Sequence, residues 1–265
     1  MTVRLPPAPS REQLVAHLVE SRIAGNVATA RQSNLANVQK MLDRDPDYWF
    51  GLELGRAWTF QEVLTVVAER VGGDPAPSRD GGSDTIDPPL CVDALGAAAE
   101  LIAAVAADRG RVLLATGHPT GLLALYLPVA AALEAAGCTV ITPAAEQWVQ
   151  VPAGHRRIRY VGGIATLGTG GDLLHTHAPE PMVTVLAAAA EPPDLVVGDH
   201  GWAGVAGQAG LRTVGFADSN DPALFVGAVE GKLEVAVPLD DNVAPAAYLP
   251  LAAYLLRRLD GSQPH

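Results

Sequence analysis

Sulfur is nearly missing from this chain. Its 265 residues hold two cysteines, Cys91 and Cys138, too few for a disulfide scaffold, and no Cys-x-x-Cys spacing exists for a zinc knuckle. Basic residues are scarce: 18 Lys and Arg stand against 29 Asp and Glu, a net charge of −11. That removes the basic footprint a nucleic-acid binder needs. Long apolar runs are missing as well. Leu122 to Leu133 is the longest, about a third short of a membrane span. Met1 to Ser10 has one Arg and no apolar core, so no secretory signal is expected. These absences predict a soluble, cytoplasmic protein with neither nucleic acid nor membrane as partner.

Familiar catalytic signatures are absent too. There is no Gly-x-Ser-x-Gly elbow, no Gly-Lys-Ser/Thr of a P-loop and no Rossmann glycine fingerprint. Asp43-Arg44-Asp45 has the spacing of an aspartyl-phosphate motif, but it ends a predicted helix, not a strand. Asp199-His200-Gly201 is not the Arg-His-Gly of histidine phosphatases. Neither cysteine has a neighbour that would lower a thiol pKa.

What remains is a globular composition, 49% hydrophobic with 27 Gly and 21 Pro, long enough for a large core. The first third reads as helix. Arg11 to Ile23 carries apolar residues at helical spacing, with Ser10 and Gln13 as a capping box. Further helices are expected at Leu35–Leu42 and Thr59–Val71. The Gly- and Pro-rich stretch Gly72–Ser83 marks a boundary. This gives a helical cap over residues 1–80 and an α/β domain over 81–265, expected to form one compact unit. In the second part, strands and helices alternate. Strands are expected at Arg111–Thr116, Thr139–Thr142, Asp194–Val197, Arg212–Phe216 and Leu233–Val237. The helices between them start near Thr120, Trp202 and Pro222, and a last one covers Pro245–Leu259. Gly162-Gly163 signals a two-residue hairpin. Fully apolar strands imply a sheet covered on both faces. The predicted fold is therefore α/β: a three-layer sandwich with a mainly parallel, Rossmann-like sheet and an N-terminal helical cap.

Ligands in such sheets bind beyond the carboxyl ends of the strands, and chemistry-bearing residues collect there. Thr116-Gly117-His118-Pro119-Thr120-Gly121 leads from a strand into a helix. It could present N–H groups to an anion, with His118 as an acid or ligand. His175 and His177 are two apart, so on a strand both imidazoles share one face and could chelate a divalent ion. Glu180 follows them, as a further carboxylate or a helix-start charge. Asp199 and His200 follow the next strand. The glycines Gly201, Gly204, Gly207 and Gly210 read as close packing. Asp218 and Asn220 follow the strand after that and offer hard oxygen ligands, whereas Asp221, just before Pro222, reads as a helix cap. Asp240, Asp241 and Asn242 follow the last strand, with one of them expected to cap the final helix. Asp87 is read as a cap for the helix from Leu90. From Glu191 to Asn242 nine acids face two bases, −7 of the −11. Grouped carboxylates of this kind favour a bound cation.

The stretches SRIAGNVATARQSNL, SDTIDP, ATGHPTGLL, HTHAPEPM, DHGWAGVAGQAG, FADSNDPALF and VPLDDN together resemble a family of actinobacterial proteins described as phosphatases. The likeness runs from about Ser21 to Leu256. It implies a phosphate-ester substrate. The residue roles come from spacing alone. Asp199, Asp218, Asn220, His175 and His177 are expected to hold Mg²⁺ or Mn²⁺. Thr116, Gly117, Thr120 and Gly121, with Arg22 or Arg31 from the cap, are expected to hold the phosphoryl group. His118, His200 and Asp199 are expected to move protons. The expected function is metal-dependent hydrolysis of a small-molecule phosphomonoester. The alternatives are a non-catalytic sugar-phosphate or nucleotide sensor, and a lyase or cyclase acting on a carboxylate substrate. A homodimer stays open.

Overall fold

A computed structural model describes residues 4–259. Helix α1 (Arg11–Glu20) begins at Ser10 with the expected capping box. The next segment departs from the all-helical expectation. Gly25–Ala30 is a strand, β1, before helices α2 (Arg31–Leu42), α3 (Pro46–Trp49) and α4 (Phe60–Val71). Its partner is β2 (Ser83–Ile86), paired antiparallel across an irregular register. Neither strand alternates cleanly between apolar and polar residues, so period-two patterning could not reveal them. Strand β2 lies beyond the expected boundary at residue 80 and pairs back across it.

Helix α5 (Pro88–Ala107) is capped by Asp87, whose side chain accepts from the Leu90 N–H. It is the one helix among the described residues long and apolar enough, by length and composition, to cross a membrane, with a mean hydropathy of 1.9. Asp93 and Glu100 interrupt its apolar residues, which hides it from a search for unbroken runs. Cys91, Leu95, Ala98, Ile102 and Val105 lie in the core.

Strand β3 (Arg111–Ala115) leads into α6 (Pro119–Ala135) and the short β4 (Thr139–Val140). Strands β5 (Trp148–Val151), β6 (Gly154–Val161) and β7 (Ile164–Gly168) follow as an antiparallel meander. Gly162 and Gly163 turn the β6–β7 hairpin with φ of 56° and 85°, the positive values a two-residue hairpin requires. Then come α7 (Glu180–Ala188), β8 (Leu195–Asp199), α8 (His200–Gln208), β9 (Thr213–Ala217), α9 (Pro222–Val229) and β10 (Val235–Pro238). A 3₁₀ turn at Pro245–Tyr248 and α10 (Leu249–Leu256) close the described chain.

The main sheet runs β10-β9-β8-β3-β7-β6-β5, with β4 also on β3. Strands β10, β9, β8, β3 and β7 are parallel; the antiparallel part is the β7–β6–β5 side. The fold is thus α/β with a large, mainly parallel sheet. In β3, Val112 and Leu114 join one apolar cluster while Leu113 and Ala115 join another. Both faces are covered, as unbroken apolar strands demand. The larger cluster runs from Leu14 to Leu256. The glycine repeat in α8 serves packing: a Cβ at Gly201, Gly204 or Gly207 would meet backbone carbonyls of His177, Phe50 or Lys232.

The loop before β2 is fastened by Arg31. Its buried guanidinium pairs with buried Asp84 at 3.0 Å and donates to the carbonyls of Ala76 and Arg79. Asn34 and Arg79 also reach the Asp84 carboxylate. Removing one partner of a buried ion pair costs about 3–5 kcal/mol. Arg31→Met should therefore lose about 3 kcal/mol, since Arg79 stays on Asp84. Urea unfolding checks this. Arg11→Met, which breaks the exposed pair with Asp93, should unfold at nearly the wild-type midpoint.

Candidate active site

The parallel strands β3, β8, β9 and β10 end side by side, so Gly117, Asp199, Asp218 and Asp240 share one edge of the sheet. At the centre is His200. It begins α8 with φ of 46°, a left-handed conformation that a non-glycine residue adopts only under constraint. The turn aims its imidazole inward, where it is fully buried. His200 Nδ1 donates to Asp199 Oδ1 at 2.8 Å. Its Nε2 lies 3.4 Å from Asp241 and 3.6 Å from Asp221. Burial alone would lower its pKa. The carboxylates of Asp221, Asp199 and Asp241 outweigh that and push it up to about 10.

Asp199 is an anchor. Its Oδ1 also accepts from the Gly117 N–H at 2.6 Å, and Oδ2 accepts from the Tyr126 hydroxyl at 3.1 Å. Both oxygens thus accept from protein donors, and Asp199, expected as a metal ligand, is in none of the donor groups that could hold an ion. The Gly117 loop is corrected as well. The Gly117 N–H goes to Asp199 and the His118 N–H to Thr116 Oγ1. Thr120 is exposed. These groups do not form an open anion cradle. Glycine serves another need here: a Cβ at Gly117 would strike the Thr176 carbonyl, and one at Gly121 the Asp241 carbonyl. The two glycines let the segments carrying His175, His177 and Asp241 lie against the loop.

His175 and His177 do come together, with ring centroids 5.0 Å apart, but on irregular chain. The only strand-like pairing there is a bridge from Leu174 to Leu167. His177 stacks on His200 at 4.4 Å, and His175 on His118 at 4.4 Å. Burial and the positive charge of His200 lower His175 to about 4 and His177 to about 3. Both are neutral at pH 7. His177 Nδ1 pairs with the Asp47 carbonyl at 2.9 Å, which leaves Nε2 as the free lone pair. His118 Nδ1 is 3.1 Å from Asp241. Burial opposes its charge, but Asp241 raises its pKa.

The carboxylates crowd one another. Asp218 accepts from Thr29 Oγ1 at 2.7 Å and from the Ser219 N–H. Burial, then repulsion from Asp241, Asp221 and Asp240, holds it well above the usual range. Asp221 does not cap α9. It turns inward, its Oδ1 buried without a partner. Burial raises it to about 6 even though His200 opposes this. Nor does Asp240 or Asp241 cap the final helix: Asp240 takes the N–H groups of Asn242 and Ala28. Asp241 is buried, yet the imidazoles of His118 and His200 hold its pKa below the usual value.

Three sets of donor atoms lie mutually within 4.8 Å: His175, His177 and His200; His200, Asp221 and Asp241; Asp218, Asp240 and Asp241. Such groups could bind a metal ion. All of these residues except Asp221 line a cavity of about 510 Å³, whose other walls include Thr29, Ser33, Asn37, Lys40, Tyr48 and Asn220. Arg22 is exposed in the turn after α1 and Arg31 is engaged by Asp84, so neither lines it. Glu180 begins α7, also outside the cavity. Asp221, Asp240, Asp241, Thr29 and Tyr126 complete the arrangement without having been singled out as site residues. The available signal was that Asp240 and Asp241 follow a strand, as Asp218 does.

The buried imidazolium fixes a pH dependence. An unfolded His titrates near 6.5 and His200 near 10. Between these values the folded state holds the extra proton. This stabilisation is fully present below pH 6.5 and is lost as pH rises through 10. Chelator-treated protein should show a urea midpoint that falls across pH 7–10. His200→Gln should be less stable at pH 7 and show a flatter profile over that interval.

The model of a family described as Phosphatase matches residues 9–263. A Streptomyces coelicolor protein that carries the name phosphatase is 46% identical over 258 residues, 95% of this chain and 97% of that protein. With a match of this extent laid over an edge where four histidines meet five aspartates, the chain belongs to the Phosphatase family.

Proposed function

We propose that the protein is a metal-dependent phosphatase acting on a small-molecule phosphomonoester. One observation carries this reading. Asp218, Asp240 and Asp241 are buried and line the cavity, and buried Asp221 shares a donor group with Asp241 and His200; so many carboxylates repel a phosphate dianion unless a bound cation adds to the one positive charge of His200. The donor set fits a divalent ion. Neutral imidazoles stand on one side and carboxylates on the other, and Asp221 Oδ1 is a buried oxygen without a partner. A divalent ion there would supply Lewis-acid polarisation of the phosphoryl group.

The chain's own residues divide the remaining work. Asp218, Asp240 and Asp241 offer oxygens, and His175 and His177 offer ring nitrogens kept neutral by burial. Were His200 to join a ligand set it would have to give up its proton, and metal uptake would then release protons. Asp199, Tyr126 and the Gly117 N–H keep the His200 ring in place throughout. His118 lines the cavity and is held toward its charged form by Asp241. That suits it to protonate the departing alkoxide oxygen.

The test is inorganic phosphate release from p-nitrophenyl phosphate and a panel of sugar and glycerol phosphates, by protein stripped with chelator. Activity should be absent until Mn²⁺ or Mg²⁺ is added. Asp218→Asn and Asp241→Asn should each lower turnover on the order of a hundredfold or more while melting as cooperatively as wild type. Full turnover in excess chelator would refute metal dependence, and no release with any metal would refute the phosphatase reading.

A further inference from the structure

One wall of the cavity has no part in the chemistry above. Ser33, Ala36, Asn37 and Lys40 recur at helical spacing along α2 and line the cavity as one face. Asn37 donates to the Asn220 carbonyl at 2.9 Å, tying this wall to the end of β9. Lys40 is the one Lys or Arg among the described residues of the lining. It is half-buried. Its ammonium donates to Tyr48 Oη at 2.9 Å and lies 4.1 Å from the centroid of that ring. No carboxylate among the described residues pairs with it. In a chain with a large excess of acids, a cation that faces a cavity and is matched only with a phenol is kept for something else.

The rest of the lining limits what that can be. Its aliphatic members are alanines, Ala28, Ala30 and Ala36, and no Leu, Ile, Val, Met or Phe contributes. An acyl or prenyl chain would find nothing to bury against. Tyr48 is the one phenyl-type ring, with the Lys40 ammonium over it and the His177 ring set edge-to-face with it at 5.7 Å. What fits is a small, polar body with negative charge on the side facing α2.

We propose that Lys40, positioned by Tyr48, selects a second anionic group on the substrate. The substrate is then a small, polar phosphomonoester that also bears a carboxylate or a second phosphate. The inference rests on the phosphatase reading and adds the substrate class to it. The phosphoryl group to be cleaved goes to the His and Asp cluster. The second anion meets the Lys40 ammonium across the cavity, in a charge-assisted hydrogen bond.

Two matched pairs of substrates test this with the Mn²⁺-loaded protein. One pair is 3-phosphoglycerate against glycerol 1-phosphate, the other fructose 1,6-bisphosphate against fructose 6-phosphate. Wild type should favour the more anionic member of at least one pair by about tenfold or more in kcat/KM, and the pair that responds names the carboxylate or the phosphate. Lys40→Met should lower kcat/KM on that member at least tenfold more than on its partner, mostly through KM. Lys40→Arg should restore part of the preference, which a folding defect would not allow. No preference in either pair overturns the proposal. So does an equal loss on both members in Lys40→Met, which would place Lys40 on the transferred phosphoryl group. If no compound releases phosphate, the phosphatase reading fails. The same pairs are then titrated calorimetrically against wild type and Lys40→Met, and equal affinities overturn the Lys40 assignment on their own.

Discussion

A charged imidazole shut away from water sets the terms for everything around it. His200 is fully buried, and its charge stands only because Asp199, Asp221 and Asp241 surround it. The dependence is mutual. Without that charge, these acids and nearby Asp218 and Asp240 would repel one another in a medium that screens poorly. Asp199 links the arrangement to the scaffold, since Tyr126 and the Gly117 N–H hold its oxygens. A proton on His200 and a divalent ion among the same ligands are alternative answers to one electrostatic problem. The site is therefore built from groups that would destabilise a core but are compatible with one another once a cation is present.

The sheet was legible because its signals are local. Unbroken apolar strands such as Arg111–Ala115 and Leu195–Asp199 stand out from the helices between them, and their carboxyl ends point to where ligands bind. His118, His200, Asp218 and Asn220 were read this way and His175 and His177 from their spacing of two, and the structure brings all six to the lining of one cavity. What each does there depends on partners distant in sequence. Asp221 obeys the local rule for a cap, with Pro222 in the first turn of α9. Its side chain turns the other way, accepting from the Asp218 N–H at 3.2 Å and lying 3.6 Å from His200, 21 positions upstream. Asp199 reads locally as a free carboxylate until Gly117, Tyr126 and His200 are seen to donate to it.

The N-terminal part was the least legible. Strands β1 and β2 carry no regular alternation, yet β1 brings Ala28 and Thr29 onto Asp240 and Asp218. Arg31 looked like a phosphate ligand by residue type alone. Its guanidinium instead braces the loop before β2, through an ion pair whose partner lies 53 residues away. The face of α2 that does reach the cavity is the polar one. Helix periodicity tracks apolar residues, so it located the helix but not the purpose of Asn37 and Lys40.

Phe50 fastens α3 to the centre of the site. It follows α3 in a left-handed conformation, with φ of 57°. Its carbonyl rests against Gly204 of α8, and its buried ring meets His177 and His200 edge-on at 5.5 and 5.6 Å. Outward movement of α3 would pull this ring off the stacked His177 and His200 pair and unseat a backbone contact that only glycine admits. Tyr48, carried on α3, is thereby held in the cavity wall by the same packing that seats the histidine pair.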